Sequence, residues 1–376
     1  MGCGAGVSSS GTTTTIVTPK GEVTVPFDEK DATFGASCTS VYTTEQKRLS
    51  YDSLTQVLAE RLADAELRSL VSALLGACAR VAEALRTALV TVEGTSNTFG
   101  DTQLTVDVIA DKLLFEFAEE CGLVFEAASE EQPTLRTFHA GGRFVLCWDP
   151  LDGSSIVDNN WSVGTFVGVW DRRTGLIGAR GQDQLTSLIV QYGPRVTALA
   201  ALEDGAYEFT LVGADEWICS RERIAIEPKA KIFSPANLRA AQDLPGYASL
   251  VDHWMKERYT LRYAGGLVPD IYQQFTKRQG VFANPTSPKA PAKLRLAFEA
   301  APVALLVERA GGRSSDGVTG CSVLDVVINS VDQRTALCVG SALEVERFNA
   351  TVLGVVVVAP AAAAAVGGGA GETVEE

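Results

Sequence analysis

The sequence predicts a mixed α/β fold on three observations: helical periodicity between residues 54 and 117, short apolar runs punctuated by glycine and aspartate through the middle, and a second half that mixes both patterns. Leu54, Val57, Leu58 and Leu62, then Leu67, Leu70, Val71, Leu74, Leu75, Cys78, Val81, Ala82 and Leu85, recur at helical spacing and predict two amphipathic helices. A glycine-containing link over 93–100 leads to a third helix, with Val108, Ile109, Leu113, Leu114 and Phe117 on one face. Strands are expected at 123–125, 144–147, 164–170, 187–192, 197–201 and 207–212. The second half offers a strand at 231–233, a helix at 244–256 and a helix at 293–309 that Gly311 and Gly312 would stop.

The ends read differently. The first 18 residues are rich in Gly, Ser and Thr, lack the basic and apolar regions of a secretory signal, and are expected to be disordered. Met1-Gly2-Cys3 invites acylation, but Gly6 stands where that motif wants Ser or Thr. The Val, Ala and Gly tract 352–371 is broken by Pro360. It falls short of the roughly 20 residues a membrane helix needs, so a flexible tail is expected and no membrane span.

Charge and composition exclude several functions. With 46 acidic and 32 basic residues, the net charge of −14 repels a polyphosphate backbone, which argues against a nucleic-acid partner. None of the eight cysteines pairs at zinc-knuckle or CxxC spacing, and His139 and His253 are the whole histidine complement. A multi-histidine metal centre is therefore excluded, and carboxylates must carry any chemistry. Each histidine is read as structural or solvent-exposed.

Asp149 and Asp152 flank Pro150-Leu151 after the apolar run Phe144–Cys147 and lead into Gly153-Ser154-Ser155. Hard divalent cations choose oxygen ligands, and two aspartates with the Leu151 carbonyl between them offer three. The amides and hydroxyls of Gly153, Ser154 and Ser155 can receive phosphate oxygens. The competing reading is an ordinary surface turn, which Asp, Pro and Gly favour on local grounds. Glu130-Glu131 behind a strand, Gly100-Asp101 and Asp107 before a helix, and Glu299 inside an apolar helical face tip the balance towards a metal site.

Taken in order, Phe99-Gly100-Asp101, Asp107, Ser129-Glu130-Glu131, the block from Asp149 to Asp158, Leu261-Arg262-Tyr263, Lys293-Leu294-Arg295-Leu296 and Phe298-Glu299 resemble the fructose bisphosphatases and, more closely, the sedoheptulose bisphosphatases of the lithium-sensitive phosphatase superfamily. The resemblance spans roughly Leu54 to Gly354. It implies a layered αβαβα fold in two mixed domains: 51–225 with the metal site and 226–354 with sugar-phosphate contacts, between a largely disordered or extended segment 1–50 and a flexible tail 355–376.

It further implies two or three Mg2+ ions, or Mn2+, held by Glu130, Asp149, the Leu151 carbonyl, Asp152 and Glu299, with Asp101 near a further metal. Glu131, supported by Asp107, would activate the attacking water. Asn237, Arg262, Tyr263 and Lys293 are the implied substrate contacts, Arg262 reaching into a neighbouring subunit of a homodimer or homotetramer, and Arg239 is a further cation for phosphate.

Sedoheptulose 1,7-bisphosphate is favoured over fructose 1,6-bisphosphate because Ala240 replaces a tyrosine of the fructose enzymes and Phe282-Ala283-Asn284-Pro285 lacks their aromatic against the distal phosphate. Shape alone discriminates weakly, so dual activity stays open. Inositol monophosphatases share the D-P-L-D-G corner but not the block from Lys293 to Glu299. A sugar-phosphate sensor without activity is the non-enzyme alternative. AMP control is not expected, since Arg143-Phe144 replaces the Lys-Tyr pair of the animal enzymes and the turn Ala63-Asp64-Ala65-Glu66 is acidic. Val90 and Thr95 stand where plastid enzymes carry a cysteine pair, which points to the cytoplasm with the plastid as the alternative.

Overall fold

The computed structural model describes residues 13–18, 21–26, 51–96 and 102–355. Within the first fifty residues it shows a hairpin of β1 (Thr13–Thr18) and β2 (Gly21–Pro26), antiparallel, with Thr13 opposite Pro26. Residues 13–18 are a strand within the segment expected to be largely disordered or extended, as β-branched Thr, Ile and Val favour extended backbone. Met1-Gly2-Cys3, Asp101 and the tail beyond Val355 lie outside the described residues.

From Tyr51 onward the two expected helices are present with their caps. Helix α1 (Leu54–Arg61) opens on a reciprocal capping box between Ser53 and Gln56. Helix α2 (Ala65–Thr87) starts at Asp64, whose carboxylate accepts from the amides of Glu66 and Leu67. The glycine-containing link contains a strand, β3 (Val92–Ser96), which pairs with β4 (Thr102–Leu104) ahead of α3 (Thr105–Glu120).

An eight-stranded sheet follows, formed by β5 (Val124–Ser129), β6 (Arg136–Thr137), β7 (Phe144–Asp152), β8 (Val163–Asp171), β9 (Gln184–Tyr192), β10 (Val196–Leu202), β11 (Gly205–Val212) and β12 (Glu216–Ile224). Their spatial order is β12-β11-β10-β9-β8-β7-β5-β6, antiparallel except for the β5–β7 pair. Strand β12 escaped the periodicity reading because Glu216, Arg221, Glu222 and Arg223 leave this edge strand largely polar. A short helix, α4 (Ser154–Val157), follows β7.

The second sheet has the order β14-β13-β15-β17-β16, from β13 (Ile232–Pro235), β14 (Thr260–Leu261), β15 (Val281–Asn284), β16 (Arg313–Ser315) and β17 (Leu337–Gly340). Its helices are α5 (Pro245–Lys256), α6 (Leu267–Lys277), α7 (Ala301–Arg309) and α8 (Ala342–Phe348). The helix expected from Lys293 begins three residues later, as a π-turn over Leu296–Ala300 that runs into α7. Arg295 is extended and bridges to Arg334, while its amide donates to Glu299 Oε2 at 2.6 Å, so a carboxylate inside the turn caps the turn's own start.

These elements stack in five layers. Helices α1 to α3 cover one face of the large sheet, α6 and α7 lie on its other face, and α5 and α8 cover the far side of the small sheet. Strand β7 shows why the apolar run there is unbroken: Phe144, Leu146 and Trp148 point into the α1–α3 core, while Val145 and Cys147 point into the α6–α7 core.

Two glycine substitutions test this packing. At Gly164 in β8 a Cβ would lie 2.2 Å from the Val190 carbonyl oxygen, so Gly164→Ala is expected to destabilise by about 1–3 kcal/mol. At Gly76 in α2 an added methyl would have nothing within 4 Å, and Gly76→Ala is expected to stabilise by about 0.5–1 kcal/mol. Thermal unfolding of both variants beside the parent checks the pair, and an unchanged midpoint for Gly164→Ala contradicts the close approach.

Candidate active site

The site is built on an irregularity in β7. Asp149 pairs with Phe166 and Asp152 with Gly164, so three steps along β7 match two along β8, leaving one extra residue at Pro150-Leu151. In a regular strand, residues three apart point to opposite faces; the bulge brings Asp149 and Asp152 to the same one. Proline suits this position because a bulge needs no ladder amide there. The Pro150 carbonyl accepts from Thr165 Oγ1 at 2.8 Å, that hydroxyl also contacts Tyr192 Oη at 2.8 Å, and the Leu151 amide donates to Asp149 Oδ1 at 3.0 Å. Gly153 then turns the chain with φ +98°, a left-handed value that suits glycine.

Parallel pairing brings the second acid pair alongside. Ser129 lies opposite Trp148, so β5 ends where β7 reaches Asp149, and the Glu130 amide donates to the Trp148 carbonyl at 3.0 Å. Glu299 enters from the π-turn. The carboxylate oxygens of Glu130, Asp149 and Glu299 lie within 4.8 Å of one another. Asp152 stands beside this trio with both oxygens engaged, accepting from the amides of Leu267 and Val268 at 3.0 and 2.6 Å and so capping α6. Arg295, buried, pairs with Glu130 at 3.0 Å.

Burial and mutual repulsion hold these acids above the ordinary carboxylate range. Burial lifts Glu130 to about 7 against the pull of Arg295, with Glu131 and Asp152 adding to the rise. Asp149 and Glu299 are pushed well up by burial and then by Glu130. Burial likewise takes Asp152 to about 6. On α3, Asp107 accepts from the Leu104 amide through Oδ2, while its buried Oδ1 has no hydrogen-bond partner; burial and then the charges of Glu131 and Glu130 raise it to about 7. All-oxygen donors whose ionised forms repel one another fit a hard divalent cation, which would relieve that repulsion.

An open cleft of about 390 Å3 adjoins Asp152. Ser155, Asn237, Arg239, Tyr263 and Lys293 line it, as do Asp270 and Phe282. Asn237 stands in the left-handed region and donates both amide hydrogens, to the carbonyls of Pro285 and Ala290, so it holds the opposite wall of the cleft. Arg262 is exposed and absent from this lining. Ala240 is fully buried and also absent from it. Among the described residues, the sequence reading missed Asp111, buried one turn after Asp107, and Asp270, whose carboxylate accepts from the Ala264 and Gly265 amides at the cleft. Asp111 carried a usable signal, its i,i+4 spacing from Asp107.

Comparison with known proteins agrees in extent and order. The family described as Fructose-1-6-bisphosphatase, N-terminal domain matches residues 48–222, and its C-terminal domain counterpart matches 226–353. The chloroplastic sedoheptulose-1,7-bisphosphatase of Triticum aestivum is 46% identical over 309 residues, which is 81% of this chain and 77% of the wheat protein. The class 1 fructose-1,6-bisphosphatase of Geobacter sulfurreducens is 38% identical over 268 residues, covering 70% of this chain and 84% of the bacterial one. A crystal structure of a Toxoplasma gondii protein provisionally assigned as a sedoheptulose-1,7 bisphosphatase superposes with TM-score 0.76 at 49% identity, over 80% of this chain and 98% of that one. Leishmania major fructose-1,6-bisphosphatase in holo form gives TM-score 0.75 at 27% identity, over 80% and 99%.

The raised carboxyls fix a pH dependence. Groups more basic folded than unfolded contribute stability that is full below their unfolded pKa and lost as pH rises through the folded one, here from about 4 to about 7. The metal-free protein is expected to unfold at a lower temperature at about pH 8 than at about pH 5, and Mg2+ to raise the midpoint more at the higher pH. Thermal scans with and without Mg2+ at both values check this; an equal metal effect at both contradicts it.

Proposed function

The chain belongs to the fructose-1,6-bisphosphatase family, and from that membership we propose that it hydrolyses the 1-phosphate of sedoheptulose 1,7-bisphosphate to sedoheptulose 7-phosphate and inorganic phosphate. The observation that carries this reading is the convergence of Glu130, Asp149 and Glu299 beside a cleft that also receives Arg239 and Lys293. One end suits a phosphate bridged by cations, the other a phosphate met by basic side chains. Glu130, Asp149, the Leu151 carbonyl, Asp152 and Glu299 would hold two or three Mg2+ ions, or Mn2+, with Asp101 near a further ion. Bound metal neutralises phosphate charge and polarises phosphorus.

The protein's own groups supply the rest. The backbone amides and hydroxyls of Gly153, Ser154 and Ser155 orient the phosphoryl oxygens at the start of α4. Glu131 takes a proton from the water as the water oxygen bonds to phosphorus, and the phosphorus–sugar oxygen bond breaks, the departing oxygen taking its proton from solvent water at the open cleft. Asp107, with one buried oxygen lacking a partner and a pKa near 7, is suited to support Glu131 by holding that proton. Asn237, Arg239, Tyr263 and Lys293 bind the distal half of the sugar, and Arg262, exposed, serves a neighbouring subunit of a homodimer or homotetramer. Residues 51–225 act as the metal-bearing domain and 226–354 as the sugar-binding one.

Fructose 1,6-bisphosphate is the second substrate reading, because shape alone discriminates weakly between the two sugars. The seven-carbon preference rests instead on the higher identity to the wheat enzyme. Chloroplastic relatives support the plastid as the alternative to the cytoplasm expected from Val90 and Thr95. No helix among the described residues is long and apolar enough to cross a membrane.

Phosphate release with Mg2+ from the two sugars side by side tests the assignment. The seven-carbon substrate is expected to give the higher kcat/KM, and Glu131→Gln to lower kcat by about 100-fold or more; release from neither sugar overturns the catalytic reading. Lys293→Ala is expected to raise KM by about 10-fold or more, the loss of a charged contact to the distal phosphate, and an unchanged KM removes Lys293 from that role.

A further inference from the structure

Beyond the acids assigned above, α3 reaches the site through a second buried carboxylate. Asp111 is 4% exposed on α3. Its Oδ1 accepts from the indole Nε1 of Trp148 at 3.2 Å and its Oδ2 from the side-chain amide of Gln132 at 2.8 Å, and the Ser129 side chain lies beside it. Each of these three residues is the chain neighbour of a proposed metal or base residue: Trp148 precedes Asp149, Ser129 precedes Glu130, and Gln132 follows Glu131. Ser129 and Gln132 also close the intervening turn by reciprocal backbone bonds of 3.2 and 3.1 Å, and the Ser129 hydroxyl oxygen accepts from the Glu131 amide at 3.2 Å.

Packing alone gives no reason for an acid there. Trp148 already stacks edge-on against Phe115 at 5.0 Å inside an apolar core, and burying a charge in such a place costs stability unless every donor is used. An ionised carboxylate accepts only, and each of its oxygens meets a donor, the Trp148 indole and the Gln132 amide. We propose that Asp111 is a positioning residue, which fixes the turn Ser129–Gln132 against the end of β7 so that Glu130, Glu131 and Asp149 converge on bound metal. This rests on the reading of that cluster as a metal site.

The polarity of the contact makes it testable. In Asp111→Asn one oxygen remains for Trp148, and Gln132 has to turn its carbonyl oxygen towards the new amide, which exchanges a charge-assisted bond for a neutral one. The double variant Asp111→Asn with Gln132→Glu restores a charge-assisted bond of reversed direction with total charge unchanged. Mn2+ binding is measured directly by the loss of the free-ion paramagnetic resonance signal, and Mg2+ half-saturation and sugar KM by phosphate release, with thermal unfolding alongside.

Asp111→Asn is expected to weaken Mn2+ binding and raise Mg2+ half-saturation by about 10-fold to 100-fold, with KM at saturating Mg2+ unchanged, and the double variant to recover most of the loss. Should Asp111→Asn fail to fold, Trp148→Phe, which keeps the acid and an aromatic ring, is expected to weaken Mn2+ binding several-fold. Unaltered Mn2+ binding in the folded variant, or a folded double variant no better than the single, overturns the positioning role alone. A parent chain that binds no Mn2+ overturns the metal site itself.

Discussion

The parity of β7 is set by the one-residue bulge at Pro150-Leu151, and the rest of the site follows from that parity. Without the extra residue, Asp149 and Asp152 would sit on opposite faces of the large sheet, one in each apolar core. With it, both belong to one corner, and the parallel neighbour β5 delivers Glu130 and Glu131 to the same height. The bulge is itself held from outside by Thr165 and Tyr192 on neighbouring strands. Geometry that determines where two charges go is thus specified by a proline, which has no amide to lose, and by a threonine hydroxyl.

Concentrating acids in this way works against folding, and the surrounding structure answers with few but well-placed groups. Arg295 is buried against Glu130, its amide occupies Glu299, and the N-terminus of α6 takes both oxygens of Asp152. These contacts compensate part of the repulsion and leave the remainder expressed as raised pKa values. In a chain of net charge −14, the cations that matter are local: Arg295 at the acids, Arg239 and Lys293 at the cleft.

The sequence made α1, α2, α3 and the strands from β7 to β11 legible because their apolar spacing is regular and their bounds are marked by Asp and Gly. It made the acid corner legible because D-P-L-D-G follows an apolar run. Helix α6 was not legible: Gly265-Gly266 and Pro269 mask its start, although proline is compatible with a first turn and Leu267, Val268, Ile271, Tyr272 and Phe275 carry the buried face. The start of the helix at 293–309 was misplaced because only the π-turn's own geometry stops it at Leu296.

The cleft draws its walls from both sheets: Asp152 and Ser155 come from the large one, whereas Ala236, Asn237, Phe282 and Asn284 come from the small one and its loops. On the proposed reading, bond cleavage and substrate choice would then be written on separate strands. Replacements on the small sheet can retune which sugar is accepted while the acids stay untouched, so descendants of one ancestral phosphatase can diverge in diet without relearning their chemistry.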